Sequence, residues 1–160
     1  MLERSTQITL LGSKTVQLLQ ALYRDEFLGK GPTQGGIVAN DVNYRRASIL
    51  GHQVKRNNTS AIAVVNHQAQ NFPTLSTVGH DGAVSKLCFD KILADVPCTG
   101  DGALRKNSKL WENWATDDAI IMHQTQVSIL QKALQIAKIG GLILYSTCSL
   151  NPLEVSYQIV

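Results

Sequence analysis

Five short apolar runs, separated by stretches whose apolar residues recur at helical spacing, restrict this chain to a parallel sheet with helices on both faces. The runs are Ile8 to Leu11, Gly36 to Asn40, Ala61 to Val65, Asp90 to Asp95 and Leu142 to Thr147. Each is too short for a helix but long enough for a buried strand, and parallel neighbours need a crossover of helical length between them. Lys14 to Phe27 supplies the first such crossover, with Val16, Leu19, Leu22 and Tyr23 in register and Gly29 as its stop. Asn43 to Asn57 supplies the second through Ala47, Leu50 and Val54, leaving Arg45, Arg46, Lys55 and Arg56 for its outer face. A third helix is expected from Thr116 as N-cap, with Asp117 and Asp118 in its first turn. Its predicted buried face carries Ile120, Val127, Leu130, Leu134 and Ala137, its last turn holds Lys138, and Gly140 and Gly141 end it. Gly29 to Gly36 and Ser76 to Ser85 read as loops. The expected architecture is one doubly wound α/β domain.

Composition removes several classes of function. The longest apolar stretches, Ser60 to Val65 and Gly141 to Tyr145, fall far short of the roughly 20 residues a membrane-spanning helix needs. Met1 to Gln7 lacks the apolar centre of a secretory signal, so an intracellular, reducing setting is expected. Three cysteines cannot all pair, and none has the CxxC spacing of a metal knuckle or redox pair, so they read as chemistry or packing. His67 and His123 read as structural or surface residues, and no metal is expected. A net charge of +3 suits a nucleic-acid partner without requiring one.

In doubly wound sheets ligands bind beyond the carboxyl ends of the strands, which singles out Gly12, Asp41, Asn66, Asp95 and Cys148. Cys98, in the loop leaving the fourth run, should open into the same crevice as Cys148. Gly12, Ser13 and Lys14 stand at a strand-to-helix turn that brings backbone amides close to a ligand. Asp41 is placed either to accept bonds from the ribose hydroxyls of a nucleoside cofactor or to serve as a solvated turn or N-cap aspartate.

Two segments concentrate chemistry: Asp95-Val-Pro97-Cys98-Thr-Gly100-Asp101-Gly102, and Tyr145-Ser-Thr147-Cys148-Ser-Leu-Asn151-Pro152-Leu-Glu154. At these residues, and from about Gly12 to Glu154, the chain resembles the RNA cytosine-5 methyltransferases of the Nop/Sun type, in particular the tRNA-modifying branch found in eukaryotes. The resemblance implies a Rossmann-like sheet that binds S-adenosylmethionine, methylates carbon 5 of cytosine in RNA, with tRNA the first expectation, and works in the nucleus or nucleolus or in the cytoplasm. Residues 1–160 would then be part of a class I methyltransferase catalytic domain, incomplete at its carboxyl end.

Carbon 5 of cytosine is a poor nucleophile until a thiolate adds to carbon 6. The resemblance implies that Cys148 is this thiolate, that Cys98 assists elimination and product release, and that Asp95 contacts the cytosine ring near its ring nitrogen. It also implies Gly12, Ser13, Lys14, Asp41, Gln68 and Asp95 around the cofactor. Arg105 and Lys106, with Lys109, Trp111 and Trp114, either hold phosphates and a turned-out base or are solvated cations beside packed tryptophans. Cys88 has no motif around it and reads as core. DNA cytosine methylation also uses a Pro-Cys cysteine, there as the nucleophile, but the paired Thr147-Cys148 favours RNA.

The chain departs from the family at two places. The family leads into its Gly-Ser-Lys-Thr turn with an acidic residue and a Cys-Ala-Ala-Pro run, whereas Thr6 to Leu11 reads Thr-Gln-Ile-Thr-Leu-Leu. Gln68 stands where the family has an aspartate facing the adenine region of the cofactor. These departures leave open a non-catalytic RNA-binding or partner-binding remnant.

Overall fold

A computed structural model describes residues 6–9, 14–29, 35–56, 59–79 and 81–155. Its elements are β1 (Thr6–Thr9), α1 (Thr15–Phe27), β2 (Gly36–Asn40), α2 (Tyr44–Lys55), β3 (Ile62–Val65), β4 (Ser76–Val78), β5 (Val84–Lys86), β6 (Phe89–Asp95), α3 (Leu110–Asn113), α4 (Thr116–Ile136), β7 (Ala137–Ser146) and α5 (Pro152–Val155). The main sheet runs β3-β2-β1-β6-β7, every pair parallel. Successive residues of β2 serve opposite faces. Val38 packs with Phe72, Ile92, Ala94, Ile129, Ala133 and Ile136 under α4, while Ala39 packs with Leu50 and Val54 under α2. Burial on both faces explains why these strands read as continuous apolar runs rather than alternating ones.

The third and fourth crossovers differ from the sequence expectation in instructive ways. Ser76 to Ser85, expected as a loop, lie in the antiparallel hairpin β4-β5, in which Gly79 N–H bonds to Ala83 O at 2.8 Å and Gly82 takes φ 79°. The glycines that suggested a loop are the turn of the hairpin, and both strands are solvent-exposed, so no apolar alternation marked them. The five-stranded count stands for the main sheet, with β6 and β7 as its fourth and fifth runs.

The strand β1 lies earlier than the expected Ile8 to Leu11, and Leu10 and Leu11 fall outside the described residues. In α4, Ala115 occupies the N-cap without a side-chain bond and Thr116 is already helical. The buried face is Ala119, Gln126, Ile129, Ala133 and Ile136, one residue off the expected stripe; Ile120 and Leu134 are 58% and 52% exposed. A polar Gln126 at the centre of that face misdirects a periodicity count. The helix stops at Ile136, and Lys138, Gly140 and Gly141 belong to β7, not to its end. There the pairing jumps from Phe89–Ala137 to Lys91–Leu142, a bulge that Gly140 permits with φ 79° and that Lys138 closes with a 2.7 Å ion pair to Asp90.

Candidate functional site

All five strands of the main sheet deliver their carboxyl ends to one rim, and the winding reverses between β1 and β6. Lys14, one residue before α1, spans that switch point. Its Nζ lies 2.6 Å from Asp95 Oδ1 at the end of β6 and donates to Ser146 Oγ at the end of β7 at 2.8 Å. Gly12 and Ser13 lie outside the described residues.

A cavity of about 250 Å³ opens beside this bridge, lined by Asp41, Arg46, Gln68, Asp95, Pro97 and Ile129 among others. The structure thus brings Asp41, Gln68 and Asp95 together. Asp41 is 2% exposed, and its Oδ1 accepts from Asn43 N at 2.8 Å and Arg46 Nη2 at 2.9 Å. Arg46, expected on an outer helix face, instead forms this ion pair and lines the cavity. It lies in the first turn of α2, close enough for a long side chain to reach the carboxylate at the strand exit. Asn40 donates to His67 O and accepts from His67 N, and Asn66 donates to Asp41 O, so the exits of β2 and β3 are fixed together. His67 stacks edge-on against Phe72 with ring centroids 5.9 Å apart, a packing role.

Past Pro97, Cys98 Sγ and Cys148 Sγ stand 3.2 Å apart, Cys98 half-buried and Cys148 exposed. Their loops are cross-tied. Gly102 N–H bonds to Cys148 O at 3.0 Å, and Leu150 N–H to Asp101 Oδ1 at 2.8 Å. A Cβ on residue 102 would sit 2.6 Å from the Cys148 carbonyl oxygen, so this approach requires glycine. Below the thiols, Glu154 is fully buried and accepts from Thr99 N at 3.1 Å, from Thr99 Oγ1 and Ser149 Oγ, and from Gln126 Nε2 at 2.8 Å. Burial pushes its carboxyl up, but the bonds from Ser149, Thr99 and Gln126 outweigh burial and hold it below its ordinary 4.5.

The Cys148 thiol is pushed up from 9.0 to about 11, first by burial and then by its hydrogen bond to Cys98. A thiol with so raised a pKa is protonated at neutral pH and becomes a nucleophile only when a base removes its proton during attack. Alkylation of Cys148 by iodoacetamide, followed by mass mapping of each cysteine, should therefore rise about tenfold per pH unit with no plateau before pH 11. At pH 7.5 it should be roughly ten- to fifteenfold slower than for a thiol at the ordinary value, the smaller thiolate fraction being partly offset by the greater nucleophilicity of a more basic thiolate. An inflection below pH 9 contradicts this environment.

Arg105 and Lys106 are exposed in the turn after the 3₁₀ segment Asp101–Ala103 and do not line the cavity. Trp111 is 70% and Trp114 39% exposed. Cys88, expected in the core, is half-buried at the amino end of β6, away from the other two thiols. Among the described residues, no group of three or more His, Cys, Asp or Glu side chains could hold a metal ion. Nor is any described helix long and apolar enough to cross a membrane. Sequence reasoning missed the partnerships rather than the residues: Lys14 with Asp95, Arg46 with Asp41, and Glu154 with both cysteine loops. Glu154 closes the second motif, but nothing in a sequence marks a carboxylate as buried.

The family described as 16S rRNA methyltransferase RsmB/F matches residues 12–160. The multisite-specific tRNA:(cytosine-C(5))-methyltransferase of Saccharomyces cerevisiae is 45% identical over 144 residues, covering 89% of this chain and 20% of that protein. The tRNA (cytosine(34)-C(5))-methyltransferase of Drosophila melanogaster is 46% identical over 143 residues, covering 89% and 19%. The chain therefore spans about a fifth of the length of these relatives. Among solved structures, PH0851 superposes with a TM-score of 0.74 at 30% identity, over 97% of this chain and 32% of that one. NSun6 from Pyrococcus horikoshii with SFG superposes at 0.69 and 26% identity, over 93% and 34%.

Proposed function

We propose, for a chain that belongs to the RsmB/F methyltransferase family, that its site transfers a methyl group from S-adenosylmethionine to carbon 5 of cytosine in RNA. The observation that carries the reading is the pair of thiols 3.2 Å apart, one of them directly after Pro97, which lines a cavity together with two carboxylates, Asp41 and Asp95. The tRNA branch is favoured by the two tRNA methyltransferases at 45% and 46% identity. Residues 1–160 then form part of a catalytic domain whose setting is the nucleus, nucleolus or cytoplasm.

The residues fit the cofactor. A carboxylate 2% exposed yet lining a cavity is the acceptor that a ribose diol needs, and Gln68 and Asp95 add polar groups to the lining of the same cavity. When bound, the cofactor supplies an electrophilic methyl group. Cys148 Sγ would add to carbon 6 of the ring and lose its proton as it does so, leaving carbon 5 nucleophilic. After methylation, loss of the carbon-5 proton breaks the bond between Sγ and carbon 6. Cys98, held within hydrogen-bond distance of Cys148, is placed to assist that loss. Asp95, ion-paired to Lys14, would hydrogen-bond the ring near its nitrogen and stabilise the adduct. Arg105 and Lys106 would meet phosphates from the exposed turn beyond.

A second reading, a remnant that binds RNA or a partner without the cofactor, is favoured by the sequence of β1 and the residues after it. The family match begins at residue 12, and Thr6 to Leu11 lacks the acidic residue and proline turn. Calorimetry with S-adenosylmethionine separates the two. The expected dissociation constant is weaker than that of a complete family member, above about 100 μM, equivalent to roughly −5.5 kcal/mol. Micromolar binding would show that the altered β1 segment and Gln68 cost nothing, whereas no heat at millimolar cofactor would sink the enzymatic reading.

A further inference from the structure

Besides the direct ties between their loops, the two thiols share a partner in the carboxylate beneath them. Glu154 Oε1 accepts from Thr99 N and Gln126 Nε2, and Oε2 accepts from Thr99 Oγ1 and Ser149 Oγ. Thr99 follows Cys98, and Ser149 follows Cys148. Gln126 extends the same network to the residue before Cys98, donating to Pro97 O at 2.9 Å. The network therefore reaches both neighbours of Cys98 and one neighbour of Cys148. Tyr145 adds a bond from its hydroxyl to the Glu154 backbone carbonyl at 3.1 Å, fixing the short helix α5 to the end of β7.

Burying a carboxylate is costly unless its oxygens are satisfied, and packing alone would be served as well by an apolar side chain. Glu154 has no exposed surface, and all four donors to its carboxylate are uncharged. What those donors share is attachment to the cysteine loops and to the helix behind them.

We propose that Glu154 is the positioning residue of the two-thiol site, a buried carboxylate that sets the loop of Cys98 against the loop of Cys148. The proposal rests on reading the thiols as partners in one reaction, but its test uses neither cofactor nor RNA. The chain in a Cys88→Ser background is equilibrated with reduced and oxidised glutathione. One glutathione disulfide takes two electrons and two protons from Cys98 and Cys148, leaving a protein disulfide and two glutathione thiols. The equilibrium ratio gives the effective concentration of one thiol at the other.

Glu154→Ala should lower that concentration at least about tenfold, because the loops lose their common anchor. Glu154→Gln should keep it within about threefold, since its oxygen still accepts from Thr99 N and Gln126 while its amide donates to the two hydroxyls, which can turn to accept. Leu50→Ala, in the core beneath α2, should lower the melting temperature and leave the thiol equilibrium unchanged. Ser149→Ala removes one partner of the carboxylate and should give an intermediate fall, which keeps the test intact should Glu154→Ala fail to fold. The proposal is overturned if Glu154→Ala keeps the wild-type value, if Ser149→Ala has no effect, if Glu154→Gln loses as much as the alanine, or if Leu50→Ala loses as much as either. A chain that passes this titration and still transfers no methyl group would count against the proposed function and leave the role of Glu154 standing.

Discussion

Cys148→Ala is expected to abolish covalent capture of RNA, and Cys98→Ala to make that capture persist. The proposed chemistry assigns one thiol to addition and the other to release, so removing each should arrest the reaction at a different point. Without Cys148 nothing loads electron density onto carbon 5, and methyl transfer should fall at least about 10⁴-fold, as losses of nucleophiles do. Without Cys98 the ring is attacked and methylated but the bond between Sγ and carbon 6 does not break. A denaturing gel should then show a protein–RNA band for Cys98→Ala and none for Cys148→Ala. Because the chain spans about a fifth of its curated relatives, the assay belongs in a chimaera in which residues 12–160 replace the matching segment of the yeast relative. Geometry alone does not choose the nucleophile, because 3.2 Å separates the thiols and either could attack. Exposure favours Cys148, and its raised pKa demands a base during attack. The opposite pattern, a band from Cys148→Ala and none from Cys98→Ala, would make Cys98 the nucleophile and DNA-type chemistry the better account.

The sheet was legible because parallel strands buried on both faces announce themselves as apolar runs. Gly36 to Asn40 was read to the residue, and the strands ending at Val65 and Asp95 were placed to within one residue at their starts. Elements whose burial does not follow polarity were not legible. Gln126 sits in the buried stripe of α4 while Ile120 and Leu134 face solvent, which shifted the expected face by one position. Gly140 and Gly141 read as a helix stop, because a bulge inside a strand uses the same residue for the same freedom of φ. In the site, residue types were legible and partnerships were not. A sequence shows Asp41 and Arg46 five residues apart, but the placement of Asp41 just past β2 and of Arg46 in the first turn of α2 makes them an ion pair. Glu154 shows the limit most clearly, since its four donors come from segments up to 55 residues away.

That same ion pair shapes the second large effect, the response of cofactor binding to Asp41→Ala. If Asp41 accepts bonds from both ribose hydroxyls, its removal deletes two hydrogen bonds to a charged group, worth about 1.5–3 kcal/mol each before compensation. Cofactor affinity should fall at least about a hundredfold, measured by calorimetry in the same chimaera, where the relative supplies an unaltered first motif. Asp41 also accepts from Asn43 N and Arg46, so alanine leaves the N–H and the guanidinium of two exposed residues without this acceptor. That should cost roughly 0.5–1.5 kcal/mol of stability, and the titration must be run well below the melting transition. Arg46→Ala separates the two effects, because it removes the ion pair and leaves the carboxylate at the cavity. If the carboxylate binds the ribose directly, Arg46→Ala should weaken the cofactor by less than about tenfold, through looser positioning alone. Equal losses from the two variants would instead mean that the ion pair shapes the cavity and that Asp41 does not meet the cofactor. An unchanged dissociation constant in Asp41→Ala would remove the ribose role altogether, and with it the strongest argument that this cavity holds a nucleoside.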